Sequence, residues 1–384
     1  MLKLKSKRNV FICLLLVAFL ALTLSVGCSS NNNQGSGSSG SGGGSSSSGG
    51  SSGSGSSGSG GGGSAPAQKY DPVEFNLCHF MAAMHPLHAK ILVPFSEEVE
   101  KQTEGRVKIY VYASNELVAA DKNYDGTVSG IIDMGLTLPA YTPGVFPVTS
   151  ILEFPFMFSS PTQSNMTAGE LVNALPYIKE TEYKNVELLW WGTTDLGHFL
   201  LKKPIKGIAD LKGMKMRSPS TVGNDVLGAI GATPVTLPVS DTYDAIERSI
   251  VDGTMLPIST LITFNLSEVV NEVFEMNMYA TPLHLVMNKS SWAKVSPDDQ
   301  KIMLDLLAEF PKNIGELYEH ETTAGYGRAK DKNIEIVVPT ADELQKFKDA
   351  VSPLVNTWLD DMKSKGIPGW EAYDLAKSIS AKYK

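Results

Sequence analysis

Arg217 is the residue from which this chain is best read. In KGIADLKGMKMRSPSTVGNDVLGAIGATPVTLPVSDTYDAIERSIVDGTMLP it closes a short strand-like run, and a small-residue turn with Ser218, Ser220 and Thr221 leads from it into a helical pattern. A guanidinium is a planar, two-pronged donor that matches a carboxylate, and the pairing counts for more in a closed cleft than in water. Ser220 and Thr221 either add donors to the same anion at the helix start or simply cap the helix. The stretch holds no nucleophile beside a base, no metal-ligand cluster and no phosphate loop. The chemistry it offers is capture of a small organic acid, not catalysis.

Other reactive residue types add little. His79, His85 and His88 are close in sequence, but Pro86 interrupts them and no acidic or cysteine partner stands beside them, so no metal site is expected. No cofactor is expected either. Of the three cysteines, Cys13 falls in the leader and Cys28 at its end, which leaves Cys78 alone in the folded part. An intrachain disulfide is excluded there, and Cys78 reads as a small buried hydrophobe. His284 and His320 read as structural.

The elements that must position Arg217 alternate. EFNLCHF, RVKIYVY, VELLWWG, MKMRSP and HLVMNKS read as strands; 88–103, 121–132, 221–230, 241–251 and a long stretch from Pro297 to about Lys330 read as helices. The pattern predicts an α/β fold with mixed sheets. YDGTVSGIID from Tyr124 recurs as YDAIERSIVD from Tyr243, placing Tyr124, Asp125 and Asp133 against Tyr243, Asp244 and Asp252. Each copy ends a helix and enters an apolar run, as a duplicated unit in two lobes would. Asp241 is expected to cap its helix and Gly253 to end it.

Lys3, Lys5, Lys7 and Arg8 precede an apolar run from Val10 to Leu24, the form of an export signal, and small residues lead into Cys28. Residues 1–28 are thus expected to be a lipoprotein signal with Cys28 acylated, although Ser25 stands where a lipobox usually has leucine. Without those four cations, 33 basic residues become 29 against 41 acidic, a net charge of −12. Such an acidic product is a poor partner for nucleic acid or for an anionic membrane surface. Residues 29–69, nearly all Ser and Gly, are expected to be a flexible tether. A coil of about 40 residues spans roughly 35 Å.

In order, PFSEEVEKQTEGRVKIYVYASNEL, IIDMGLTLPAYTPGVFP, FPFMF, KPIKGIADLKGMKMRSPS and GATPVTLPVSDTYDAIERSIVDGT resemble the substrate-binding subunits of tripartite ATP-independent periplasmic (TRAP) transporters of the DctP type. The resemblance covers roughly Glu74 to Trp370. It implies a two-lobed, periplasmic-binding-protein-like fold with a central cleft and a long connecting helix, with lobes of 70–195 plus 283–322 and 196–282 plus 323–384. It also implies an extracytoplasmic receptor that hands an organic acid to a sodium-driven membrane permease. The family's GxKxR arginine matches Gly213, Lys215 and Arg217. His79, at the end of the first strand, falls where the family's cleft begins.

Departures from the pattern suggest the ligand. Where members that bind sialic acid carry a second arginine, this chain has Gly197, with His198 adjacent; polar positions of the family appear as Leu138, Tyr141, Met255 and Leu256, and Val239 joins them by family register. At most one of Trp190 and Trp191, taken as Trp191, is expected at the cleft and the other in the core, because neighbours in a strand face opposite ways. The pocket so composed suits a monocarboxylate with an apolar or aromatic body, whose 2-oxo or 2-hydroxy group would reach His198 or Tyr141. A binder for an ATP-driven importer or sensor kinase is the alternative. A secreted hydrolase is weakest, since the folded part has no GxSxG or HExxH.

Overall fold

Two copies of one strand arrangement build most of the sheet. The computed structural model describes residues 70–384; the leader, Cys28 and the Ser/Gly tract lie outside the described residues. In the first copy β1 (Val73–His79) runs between two parallel neighbours, β2 (Val107–Tyr112) and β3 (Met134–Thr137). Helices α1 (Val93–Gln102) and α2 (Asn123–Ser129) make the crossovers. The helix α3 (Pro161–Ala174) follows, started by Ser160, whose side chain accepts from the Gln163 amide, and by a proline in the first turn. Then comes β4 (Val186–Leu201), 16 residues long.

In the second copy β5 (Lys215–Ser218) runs between parallel β6 (Thr233–Thr236) and β7 (Gly253–Pro257), with α4 (Thr221–Ala229) and α5 (Thr242–Glu247) as crossovers. The sequence echo thus marks equivalent helix-to-strand passages, α2 to β3 and α5 to β7. Its final acids do the same task in each: Asp133 accepts the Asn76 amide of β1 at 3.0 Å, and Asp252 accepts the Lys215 amide of β5 at 2.9 Å. Asp241, however, makes no side-chain cap; α5 starts from a preceding turn of 3-10 helix, and the Asp241 carboxylate instead accepts from the Ser240 hydroxyl.

β4 joins the copies. It pairs antiparallel with β9 (Ala280–Asn288) over its first part and with β7 and β8 (Glu272–Phe274) over its last. The sheet order is β2-β1-β3-β9-β4-β7-β5-β6, and β10 (Glu335–Val337) pairs with β8. The fold is therefore α/β with mixed sheets, as the alternation predicts.

Helices α6 (Pro297–Leu307) and α7 (Phe310–Asp331) divide at Pro311, and α8 (Ala341–Val351), α9 (Pro353–Ser364) and α10 (Gly369–Ser380) close the chain. The 22 residues of α7, about 33 Å at the usual rise, make the long connecting helix. Glycines let it approach its neighbours: a Cβ at Gly315 would lie 2.7 Å from Thr162 Cα on α3, and one at Gly325 2.7 Å from the Ile258 carbonyl oxygen beyond β7. Three apolar clusters hold the fold. One is centred on β1, β3 and α7, one on α3, the 146–158 loops and α10, and one on β5, α4 and α8. Cys78 is buried and free.

Candidate functional site

Between the two strand units lies a narrow cavity that leaves about 50 Å³ for the centres of water-sized molecules. Arg217 reaches it from the third position of β5. The side chain is fully buried; Nε donates to the Leu237 carbonyl at 2.9 Å, and neither Nη1 nor Nη2 has a hydrogen-bond partner among the described residues. An uncompensated buried guanidinium is strongly unfavourable. Its one internal bond fixes the plane of the fork and leaves the two terminal nitrogens for an anion.

The walls come from both units. Phe80 and Met81 follow β1, Leu138 follows β3, Val239 precedes α5, Leu256 lies on β7, and Phe264 follows the turn beyond it. Tyr141 stands behind this wall. Its hydroxyl oxygen accepts the Val239 amide at 2.8 Å, which ties the loop after β3 to the loop after β6, and its ring meets Phe80 edge-on at 6.0 Å. Burial raises the Tyr141 phenol pKa, and the nearby Arg217 charge opposes that rise.

Polar residues line the cavity as well. Thr194, Asp195, Ser259, Thr260, Thr281 and Tyr318 contribute to it. Thr194 and Asp195 arrive through a bulge: Thr193 pairs with Pro282 and Leu196 with Ala280, so two residues of β4 face the single Thr281 of β9. The Thr281 amide donates to Thr194 Oγ1 at 3.1 Å and Thr322 Oγ1 to Asp195 Oδ2 at 3.2 Å. Burial pushes the Asp195 carboxyl up to about 7, against the hydroxyls of Ser259 and Thr322. His85 also lines the cavity. Its Nδ1 accepts the Leu87 amide at 3.1 Å, and burial, aided by the His88 charge, lowers its pKa to about 4. The neutral ring therefore carries its proton on Nε2.

Of the residues expected from sequence, Arg217, Leu138, Val239 and Leu256 share this cavity, and Tyr141 backs it. The others face elsewhere. Met255 precedes Leu256 in β7 and so turns to the opposite side, into the cluster with Phe199 and Phe274. Trp190 and Trp191 do face opposite ways, but both are core: Trp190 packs edge-on against Phe310, and Trp191 lies in the cluster with Tyr124 and Phe146. His198 Nδ1 accepts the Met276 amide at 3.1 Å; the ring is not among the residues that line the cavity, and its buried Nε2 has no partner among the described residues. His79 Nε2 bonds His88 Nδ1 at 2.8 Å, and its Nδ1 accepts the Met81 amide at 3.2 Å. Ser220 caps α4 through the Gly223 amide at 2.9 Å, and with Thr221 it lines a separate cavity beside Glu153. At Gly197 any side chain would run into the Tyr279 ring, so the position has no room for an arginine. Among the described residues no group of three His, Cys, Asp or Glu is placed to hold a metal ion, and no helix is long and apolar enough to cross a membrane.

A bi-lobed α/β body with a lone, unpaired arginine in its interior is the architecture of a solute receptor, and comparison with known proteins agrees. The model of the DctP family, bacterial extracellular solute-binding protein family 7, matches residues 77–361. A TRAP solute-binding protein of Rhodoferax ferrireducens, solved with copurified benzoate, is 27% identical with a TM-score of 0.76, covering 81% of this chain and 98% of that one. A TRAP periplasmic solute-binding protein of Bordetella bronchiseptica with bound (R)- and (S)-mandelate is 25% identical with a TM-score of 0.75, covering 82% and 100%. The 2,3-diketo-L-gulonate-binding periplasmic protein of Escherichia coli is 25% identical over 288 residues, 74% of this chain and 85% of that one. The chain belongs to the DctP family of solute-binding proteins, the substrate-binding subunits of TRAP transporters. It is a receptor for small organic acids that works with TRAP membrane components, not an enzyme.

Proposed function

We propose that this receptor captures a monocarboxylate with an aromatic or apolar body and delivers it to a sodium-driven TRAP permease. The observation that carries the reading is the Arg217 fork, unpaired and buried, in a cavity walled by Phe80, Leu138, Val239, Leu256 and Phe264. One guanidinium matches one carboxylate, and the apolar walls suit an aromatic or branched aliphatic body. The structural neighbours that hold benzoate and mandelate support the same class. A 2-oxo or 2-hydroxy group on the ligand would reach Tyr141 or His198. The lobes are taken as 70–195 plus 283–322 and 196–282 plus 323–384, closing on the acid. Cys28 is taken as the acylated residue and 29–69 as the tether that holds the receptor near its permease.

Titration calorimetry with benzoate, phenylpyruvate, a branched 2-oxoacid, succinate and sialic acid under one condition tests this. The aromatic and branched acids should bind best. Preference for succinate or sialic acid would overturn the assignment, because buried unpaired polar groups cost about 1–3 kcal/mol each.

A further inference from the structure

The cavity has a second charged group, and the sheet register sets it far from the first. Arg217 pairs across β5 and β7 with Thr254, and Thr254 pairs with Leu200 of β4. Asp195 lies five residues up β4 from that row. At about 3.3 Å per residue the offset is roughly 15 Å along the strands, less the bulge and the reach of the two side chains. Consistent with this, Asp195 and Arg217 make no ion pair, though both line the cavity and Asp195 is only 2% exposed. The hydroxyls of Thr322, 3.2 Å from Oδ2, and Ser259 support the carboxyl, and no cation lies within salt-bridge distance of it. It is the one carboxyl among the residues that line the cavity.

Resting on the monocarboxylate reading above, we propose that Asp195 is a specificity-determining residue that accepts a hydrogen bond from a hydroxyl on the end of the ligand remote from its carboxylate. The preferred substrates are then hydroxylated aryl acids rather than unsubstituted ones. The supports on this side are hydroxyls, Ser259, Thr260, Thr281 and Thr322, with Tyr318 beside them. A neutral hydroxyl suits this carboxyl, because burial holds it partly protonated near neutral pH and a half-protonated acid can either accept or donate. The bulge is what makes the subsite possible. In a regular strand Thr194 and Asp195 would alternate across the sheet, whereas here both line the cavity.

Calorimetric titration of the intact protein with phenylacetate, 3-hydroxyphenylacetate and 4-hydroxyphenylacetate decides the matter. The better-fitting hydroxylated acid is expected to bind about tenfold tighter than phenylacetate, the usual worth of a buried hydrogen bond to a charged group. In Asp195→Ala that preference should fall to about twofold or less. Asp195→Asn, which preserves shape and an acceptor, should retain part of the preference. Equal binding of all three acids by the unaltered protein overturns the proposal without any variant. An Asp195→Ala protein that loses affinity for every acid alike also overturns it, by showing a structural role only. Tighter binding of 4-(aminomethyl)benzoate than of either phenol replaces the hydroxyl with a cation. Binding of none of these acids overturns the aromatic-monocarboxylate reading beneath the proposal; equal binding overturns the proposal alone.

Discussion

Removing the Arg217 fork takes away the only group positioned to compensate a buried carboxylate in this cavity. Arg217→Ala is expected to weaken binding by about 2–5 kcal/mol, the usual cost of truncating one partner of a buried charged pair. Arg217→Lys should recover only part of it, since an ammonium lacks the planar fork and cannot also keep the Nε bond to Leu237. Calorimetry on both variants, with circular dichroism to show that each is folded, makes the check. Arg217 stands out in the sequence because a small-residue turn and a helix start follow it directly. Asp195 was just as visible, the second of two acids within VELLWWGTTDLGHFLL, but its direction depends on a bulge that no periodicity announces. Met255 and Trp191 were misplaced because their neighbours in the strand take the cleft side or because both tryptophans serve cores. His198 and His79 are held by backbone amides, one distant in the chain and one nearby, a use of histidine that leaves no mark in composition.

At the scale of elements, duplication was the feature that reading the chain recovered best. The echo of Tyr124 to Asp133 in Tyr243 to Asp252 located equivalent helices, although not the task of its acids, which hold the amide of the neighbouring parallel strand. The long helix α7 was legible as well, with its break at Pro311. What was not legible is how closely it lies on the rest. Alanine at Gly325 gains up to about 1 kcal/mol of helix propensity. Its Cβ would nevertheless stand 2.7 Å from a main-chain oxygen that cannot turn aside. Overpacking of this kind costs about 1–3 kcal/mol, so Gly325→Ala should be destabilised on balance. Gly327→Ala, two residues on and with nothing within 4 Å of its Cβ, should be neutral or slightly stabilised. Denaturant midpoints of the two variants test the contrast.

For the whole molecule, burial sets two groups of ionisable side chains against each other. Glu153, Glu182 and Asp195 are raised by burial to about 7 from ordinary values of 4.5 and 3.8. Each binds its proton more tightly folded than unfolded, so the stability they contribute is present at low pH and lost as pH rises from about 4 to 7. His79, His85, His198 and His284 are lowered by burial to about 3 or 4 from 6.5. They are neutral in the fold and charge on unfolding, so their contribution is lost as pH falls below 6.5 toward 3. Between pH 4.5 and 6.5 the two trends oppose and the melting temperature should change little. Below about pH 4 these three carboxyls are protonated in both states, while the histidines and carboxylates held low in the fold, such as Asp299 beside Arg106, still lose their contribution, so the melting temperature should drop. A set of calorimetric scans across pH 3–8 checks both segments.

β4 pairs with β9 in one unit and with β7 and β8 in the other. A strand shared in this way couples the two halves energetically. Were one half to melt alone, it would strip the ladder from half of β4 and leave the remainder of that strand as an edge, with its neighbours exposed on one side. Local opening is therefore confined to the loops and outer helices, and loss of the second unit entails loss of the first. Anchoring an acid at Arg217 would then stabilise the entire body, including cores that the ligand never touches. Such a receptor has two halves for the purpose of grasping and one for the purpose of unfolding.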